Sequence, residues 1–108
     1  VKLITMLAFL KKIFGGTTIN YKELVTNGAI IVDVRTSGEF KAGHIPGSKN
    51  FPLDNIRTKV ADLKKLNKPV ITVCRSGARS GMAKGILKSA GIEVYNGGAW
   101  TSLKSKIV

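Results

Sequence analysis

One cysteine in the 108-residue chain stands where it could act as a nucleophile. Cys74 follows the run Val70-Ile71-Thr72-Val73 and opens the segment Cys74-Arg75-Ser76-Gly77-Ala78-Arg79-Ser80. A strand ending in Cys, then small residues, then a helix, aims backbone N–H groups and a helix N-terminus at one spot. That spot carries partial positive charge. Gly77 lets the backbone curl close to a bound anion, and Arg75 and Arg79 add full charges. Such surroundings favour the thiolate, lowering a thiol pKa from roughly 8.5 toward or below neutrality. The same cradle suits an anionic substrate, so activating the nucleophile and binding the substrate become one feature. A lone cysteine is more often buried and inert. Its loop sets this one apart.

The spacing of the arginines narrows the chemistry. Arg79 follows Cys74 after four residues, a Cys-x4-Arg pattern. Cysteine-dependent phosphatases use Cys-x5-Arg, whose longer ring encloses a tetrahedral phosphoryl group. A loop one residue shorter is too tight for phosphate at bonding distance from sulfur. It can surround a cysteine persulfide, whose outer sulfur lies one atom beyond Sγ. The spacing therefore favours sulfur transfer over a phosphatase or arsenate reductase, and no dedicated acid stands near the cysteine in sequence.

The elements that must position this loop alternate between strand and helix. Ala29-Ile30-Ile31-Val32-Asp33-Val34 and Val70-Ile71-Thr72-Val73 are continuous apolar runs, as in strands buried on both faces of a parallel sheet. A short helix is expected around Tyr21–Thr26, and Thr36 or Ser37 can cap another through Lys41. A short strand is expected near Asn50-Phe51. Asp54 or Asn55 should cap a helix burying Ile56, Val60, Leu63 and Leu66. Met82, Ala83, Ile86, Leu87 and Ala90 form the apolar face of the helix after the loop, which Gly91 ends. Ile92 to Tyr95 reads as a last strand, Asn96-Gly97-Gly98 as a turn, and Ala99 to Lys106 as a closing helix anchored by Trp100. The expected fold is a single α/β domain, a mainly parallel sheet of about five short strands with helices on both faces. In such sheets ligands bind beyond the carboxyl ends of the strands, where Cys74 lies.

Composition agrees with one soluble core and one site. Apolar residues make up 44% of the chain, and 18 Lys and Arg against 6 Asp and Glu give a net charge of +12. A field of that sign concentrates anions. Nucleic acid is the weaker reading, because the lysines are scattered and 6% aromatic residues leave few stacking platforms. One cysteine excludes an internal disulfide, and no Cys/His cluster has metal-ligand spacing. Residues 1–16 read as an apolar helix with basic flanks, ahead of a domain over 17–108. Residues 1–14 are too short to span a bilayer, lack the order of a signal peptide and suit at most a weak membrane-surface contact. A cytoplasmic protein is the expectation.

Four motifs in order resemble the rhodanese-like family over roughly Ile19 to Leu103. These are Asp33-Val34-Arg35 with Glu39-Phe40, then Gly43-His44-Ile45-Pro46-Gly47-Ser48 with Asn50 and Pro52, the Cys74 loop, and Gly97-Gly98 before Trp100. Ser48 departs from the usual Ala. The resemblance implies a single-domain sulfurtransferase working by a ping-pong reaction through a persulfide on Cys74. The donor would be thiosulfate or a related small anion, and the acceptor cyanide, a thiol or a sulfur-accepting protein. It implies no metal or organic cofactor. The N–H groups from Arg75 to Ser80, through Ser76, Gly77 and Ala78, would hold the persulfide. Arg75 and Arg79 would bind the donor's oxyanion end, with Ser76 and Ser80 donating further hydrogen bonds. Non-catalytic rhodanese-like modules commonly lack the cysteine, so Cys74 with both arginines argues against that role. Asp33, Arg35 and His44 are expected to be scaffold, with Arg35 bonded to Glu39 or a loop carbonyl. Trp100 is expected to anchor a helix.

Overall fold

The computed structural model describes residues 18–108, so the helix expected over 1–16 and the membrane contact suggested for 1–14 lie outside the described residues. The chain forms α1 (Tyr21–Thr26), β1 (Ile30–Asp33), α2 (Ser37–Ala42) and β2 (Lys49–Asn50). A 3-10 helix (Leu53–Lys59) then runs into α3 (Val60–Leu66), followed by β3 (Val70–Cys74), α4 (Ala78–Ser89), β4 (Val94–Ala99) and α5 (Trp100–Ile107). Among the described residues the sheet has four strands rather than about five, in the order β2-β1-β3-β4, all parallel. No described helix is long and apolar enough to cross a membrane.

The register explains how the sheet presents its cysteine. Val32 of β1 lies opposite Thr72 of β3, and Cys74 at the end of β3 lies opposite Ala99 of β4. Successive strand residues point to opposite faces. Val70 and Cys74 therefore face one core, with Val32, Ile56, Leu63, Ala83 and Leu87, while Ile71 and Val73 face the other, with Ile31, Ile45 and Leu103. α3 and α4 cover the first face; α1 and α5 cover the second. Full burial of a side chain such as Leu87 or Leu103 contributes about 1.5–3 kcal/mol. Because β2 and β3 flank β1 on opposite sides, the chain order reverses beside β1. The crevice beyond the strand ends at that reversal is where α/β sheets bind ligands.

Local signals place the ends of these elements. Thr36 caps α2 in a full capping box: its side chain accepts from the Glu39 N–H, and the Glu39 carboxylate accepts from the Thr36 N–H. α4 ends as expected at Gly91, whose φ is +86°. The Gly91 and Ile92 N–H groups donate to the Lys88 and Leu87 carbonyls, which closes the helix with left-handed glycine.

Four expectations about the elements change. Neither Asp54 nor Asn55 caps a helix, because the segment starts as a 3-10 helix at Leu53, after Pro52 has set φ at −52°. Leu66 is 46% exposed, since it is the last residue of α3 and the chain turns away through left-handed Asn67. Met82 is 64% exposed, because the buried stripe of α4 runs through Ser80, Ala83 and Leu87.

The largest change concerns Asn96-Gly97-Gly98, which is strand and not turn. The register of β4 against β3 slips between Thr72 and Val73, so that Asn96 and Gly98 are paired and Gly97 is the extra residue of a bulge. A Cβ on Gly97 would sit 2.9 Å from Ile71 Cγ2, 3.0 Å from Val73 Cγ1 and 3.1 Å from the Thr72 carbonyl oxygen. Glycine is there for close approach of two strands.

Candidate active site

Cys74 is the last residue of β3 and is buried at 1% exposure, while Arg75 and Ser76, directly after it, are exposed. The chain then turns at Gly77, whose φ of +107° suits only glycine without strain. That turn brings the Gly77 N–H to 2.9 Å from Cys74 Sγ, just ahead of the first turn of α4. Ser80, inside that first turn, holds its Oγ 3.3 Å from the sulfur. Burial pushes the thiol pKa up. The hydroxyl and N–H of Ser80 and the N–H groups of Gly77 and Ser76 outweigh it and bring the value below that of a free thiol. Three of the loop residues named from sequence, Ser76, Gly77 and Ser80, thus act on one atom, each through its backbone and Ser80 also through its hydroxyl.

Ser80 has a second partner. Its hydroxyl donates to Asn96 Oδ1 at 2.7 Å. The same oxygen accepts the Gly98 N–H at 2.9 Å, and Asn96 Nδ2 donates to the Gly77 carbonyl at 3.1 Å. Those two backbone partners fix which way the amide points, since an N–H only donates and a carbonyl only accepts. Thr72 completes the tie, its hydroxyl set between the Ser80 carbonyl at 2.9 Å and the Tyr95 carbonyl at 3.3 Å. Sequence reading missed Asn96 and Thr72. A polar residue next to the Gly-Gly pair and a Thr inside an apolar strand were the only signals.

The arginines are not equivalent. Arg79 sits 34% exposed on α4 and is gripped by Glu39, Nη1 to Oε1 at 2.7 Å and Nη2 to Oε2 at 3.0 Å. The pair holds the Glu39 carboxyl down to about 2, first through the Arg79 hydrogen bond and next through the Thr36 N–H. Arg79 is pushed up in turn, chiefly by Glu39, with Cys74 adding to it as a nearby negative charge. Arg75 is exposed on the solvent side of the loop.

The remaining marked residues build the walls. Arg35 donates to a loop carbonyl, that of Gly43 at 2.7 Å, and to the Glu39 carbonyl at 3.3 Å. Its main partner is the buried Asp33 carboxylate at 2.7 Å, a pairing the sequence reading did not draw. The Glu39 carboxylate goes to Arg79 and Thr36 instead. The Arg35 guanidinium lies 4.7 Å from the Trp100 ring centre, and Trp100 packs on the core face opposite Cys74 as the anchor of α5. Asn50 Nδ2 closes the end of β1 by donating to the Asp33 and Arg35 carbonyls. His44 stacks on Phe40 at 3.8 Å and bonds the Phe40 carbonyl through Nδ1. Ser48, where the resemblance expected Ala, closes its turn by donating to the Ile45 carbonyl at 2.6 Å. Among the described residues no group of acids, Cys and His could hold a metal ion.

The arrangement supplies a thiol that ionises more readily than a free one, N–H donors around it and arginines at its rim. The chain is similar to known proteins. A family model for the rhodanese-like domain matches residues 17–102. The thiosulfate sulfurtransferase GlpE of Pseudoalteromonas translucida is 37% identical over 84 residues, which cover 73% of this chain and 79% of that protein. The uncharacterized protein YqhL of Bacillus subtilis is 38% identical over 69 residues, covering 63% of this chain and 54% of its own length. The chain thus spans about half of that relative. A solved structure described as rhodanese with anions, from E. coli, matches with a TM-score of 0.64 and 30% identity over 69% of this chain and 91% of that one.

Proposed function

Because the chain belongs to the rhodanese-like domain family, we propose that it is a sulfurtransferase that carries sulfane sulfur as a persulfide on Cys74, with thiosulfate or a related small anion as donor. The observation that carries this reading is the Gly77 N–H set 2.9 Å from Cys74 Sγ in a loop of Cys-x4-Arg length.

The Cys74 thiolate attacks the outer sulfur of thiosulfate. A sulfur–sulfur bond forms to Sγ, the bond to the sulfonate sulfur breaks, and its electron pair leaves with sulfite. Negative charge moves one atom outward, onto the terminal persulfide sulfur. The N–H groups from Arg75 to Ser80 are there to meet it, and fixed donors in place before reaction stabilise charge without reorganising. Arg75 is exposed and stands ready to bind the oxyanion end of the donor and the departing sulfite. Arg79 contributes less, since Glu39 occupies two of its nitrogens and offsets its charge. In the second half-reaction, cyanide or a thiolate attacks the terminal sulfur and the Cys74 thiolate leaves, free for another cycle. A sulfur-accepting protein would serve in the same way.

A phosphatase reading gains nothing from the geometry, because the arginine that would clasp a phosphoryl group is held by Glu39. The test is thiocyanate formation from thiosulfate and cyanide. Activity that disappears in Cys74→Ser supports the reading. Equal rates in parent and variant, or hydrolysis of an aryl phosphate at a comparable rate, defeat it.

A further inference from the structure

We infer that Asn96 is a positioning residue for the nucleophile: its Nδ2 holds the Gly77 turn whose N–H meets Cys74 Sγ, and its Oδ1 takes the Ser80 proton while Cys74 is a thiol. It rests on the reading of Cys74 as the reacting group. One planar amide does both jobs: Oδ1 accepts from Ser80 Oγ at 2.7 Å, and Nδ2 reaches the Gly77 carbonyl at 3.1 Å. The amide is itself fixed to the sheet by the Gly98 N–H on Oδ1. The bulge at Gly97 makes this possible, because the two residues on either side of it, Asn96 and Gly98, are brought together on the strand.

Proton bookkeeping gives the amide a role that an apolar side chain cannot fill. Ser80 is fully buried, and a buried hydroxyl needs a partner in every state of its neighbour. With Cys74 as a thiol, the S–H donates to Ser80 Oγ and the Ser80 proton goes to Asn96. With Cys74 as a thiolate, the single Ser80 proton turns to the sulfur, and Asn96 Oδ1 keeps the Gly98 N–H. A bond to a full charge is about twice as strong as one to a neutral carbonyl, so Asn96 does not hold the proton back. What the amide adds in the thiolate state is the fixed position of the Gly77 N–H, held through Nδ2 on the Gly77 carbonyl.

The effect is not one of charge on β4. Val94–Ala99 carries no ionisable group other than Tyr95. The charges around Cys74 come from Arg75 in the loop, from Arg79 on α4 with its partner Glu39 on α2, and from the buried Asp33–Arg35 pair at the end of β1. Asp54, Arg57 and Lys59 lie on the 3-10 helix that packs against α4. None of these is hydrogen-bonded to Asn96; the titratable group that is, Tyr21 on α1, donates its hydroxyl to the Asn96 backbone carbonyl at 3.1 Å, on the main chain and away from the amide.

The experiment is the pH dependence of Cys74 alkylation by iodoacetamide in the full chain, with thermal melting measured alongside. Asn96→Ala should raise the midpoint of thiol ionisation by up to about one pH unit, because loosening the Gly77 N–H weakens a bond to the charged form, about twice as strong as the neutral Ser80–Asn96 bond that the thiol form loses. Asn96→Thr, which suits a strand and lacks both amide arms, should do the same and serves if the alanine variant does not fold. A folded variant with the parent's midpoint overturns the inference, whatever its sulfur-transfer rate. A raised midpoint in a chain that transfers no sulfur keeps the inference and removes the sulfurtransferase reading. Persulfide formation with unmoved midpoints does the reverse.

Discussion

Glu39 and Arg79, one on α2 and the other on α4, meet in a two-point ion pair of 2.7 and 3.0 Å at the rim of the cysteine loop. The pair joins two motifs forty residues apart. It also halves the charge that an incoming anion meets, because one of the loop's two guanidiniums is already neutralised. Glu39→Gln keeps the capping box, since Gln serves at that position as well as Glu. It leaves the Arg79 charge uncompensated. The KM for thiosulfate should fall by about two- to fivefold at low ionic strength and recover toward the parent's in salt, as expected for a screened charge at the surface. A KM that rises would show that Glu39 is needed to aim Arg79 and not to temper it.

The same carboxyl sets an acid limit. Its folded value of about 2 lies below the usual 4.5, so the stability it brings is complete above 4.5 and is lost as pH falls toward 2. Urea midpoints of the parent and of Glu39→Gln should therefore differ at neutral pH and converge through that window. The effect is small, because the carboxylate is open to solvent and surface pairs are screened. A gap that stays constant down to the lower end would contradict it.

Asp33 and Arg35 form the opposite kind of pair, side chains 0% and 5% exposed. Arg35→Ala would strand a buried carboxylate and free the Gly43 carbonyl. A loss of about 3–5 kcal/mol in chemical denaturation is expected. A loss below 1 kcal/mol would mean that water reaches Asp33 and solvates it.

Gly97→Ala places a methyl where Ile71, Val73 and Thr72 already stand. Overpacking of this kind costs about 1–3 kcal/mol. Because Gly97 sits between Asn96 and Gly98, sulfur transfer should fall along with the melting temperature. Parent-like stability would show that β4 can slide away from β3 without cost.

The strands β1 and β3 and the loop around Cys74 were legible because each is a local signal: β-branched runs, capping residues, and a cysteine followed by small residues. Thr36, Gly77 and Gly91 act as their types suggest. What was not legible depends on pairing between distant segments. Asn96-Gly97-Gly98 has turn composition, and only the approach of β3 turns it into a bulged strand. Glu39 could have bonded Arg35, four residues away; the fold brings Arg79 to it instead, and gives Arg35 to Asp33. The Ser80–Asn96 bond spans sixteen residues and exists only because α4 starts against β4.

The central claim is that Cys74 carries sulfur. Intact-mass and peptide mass spectrometry after incubation with thiosulfate measures this directly. One added sulfur on the peptide containing Cys74, removed by cyanide with release of thiocyanate and absent in Cys74→Ser, is the predicted result. An unmodified Cys74 after exposure to thiosulfate and to a small-molecule persulfide, in protein whose thiol still alkylates, would contradict it.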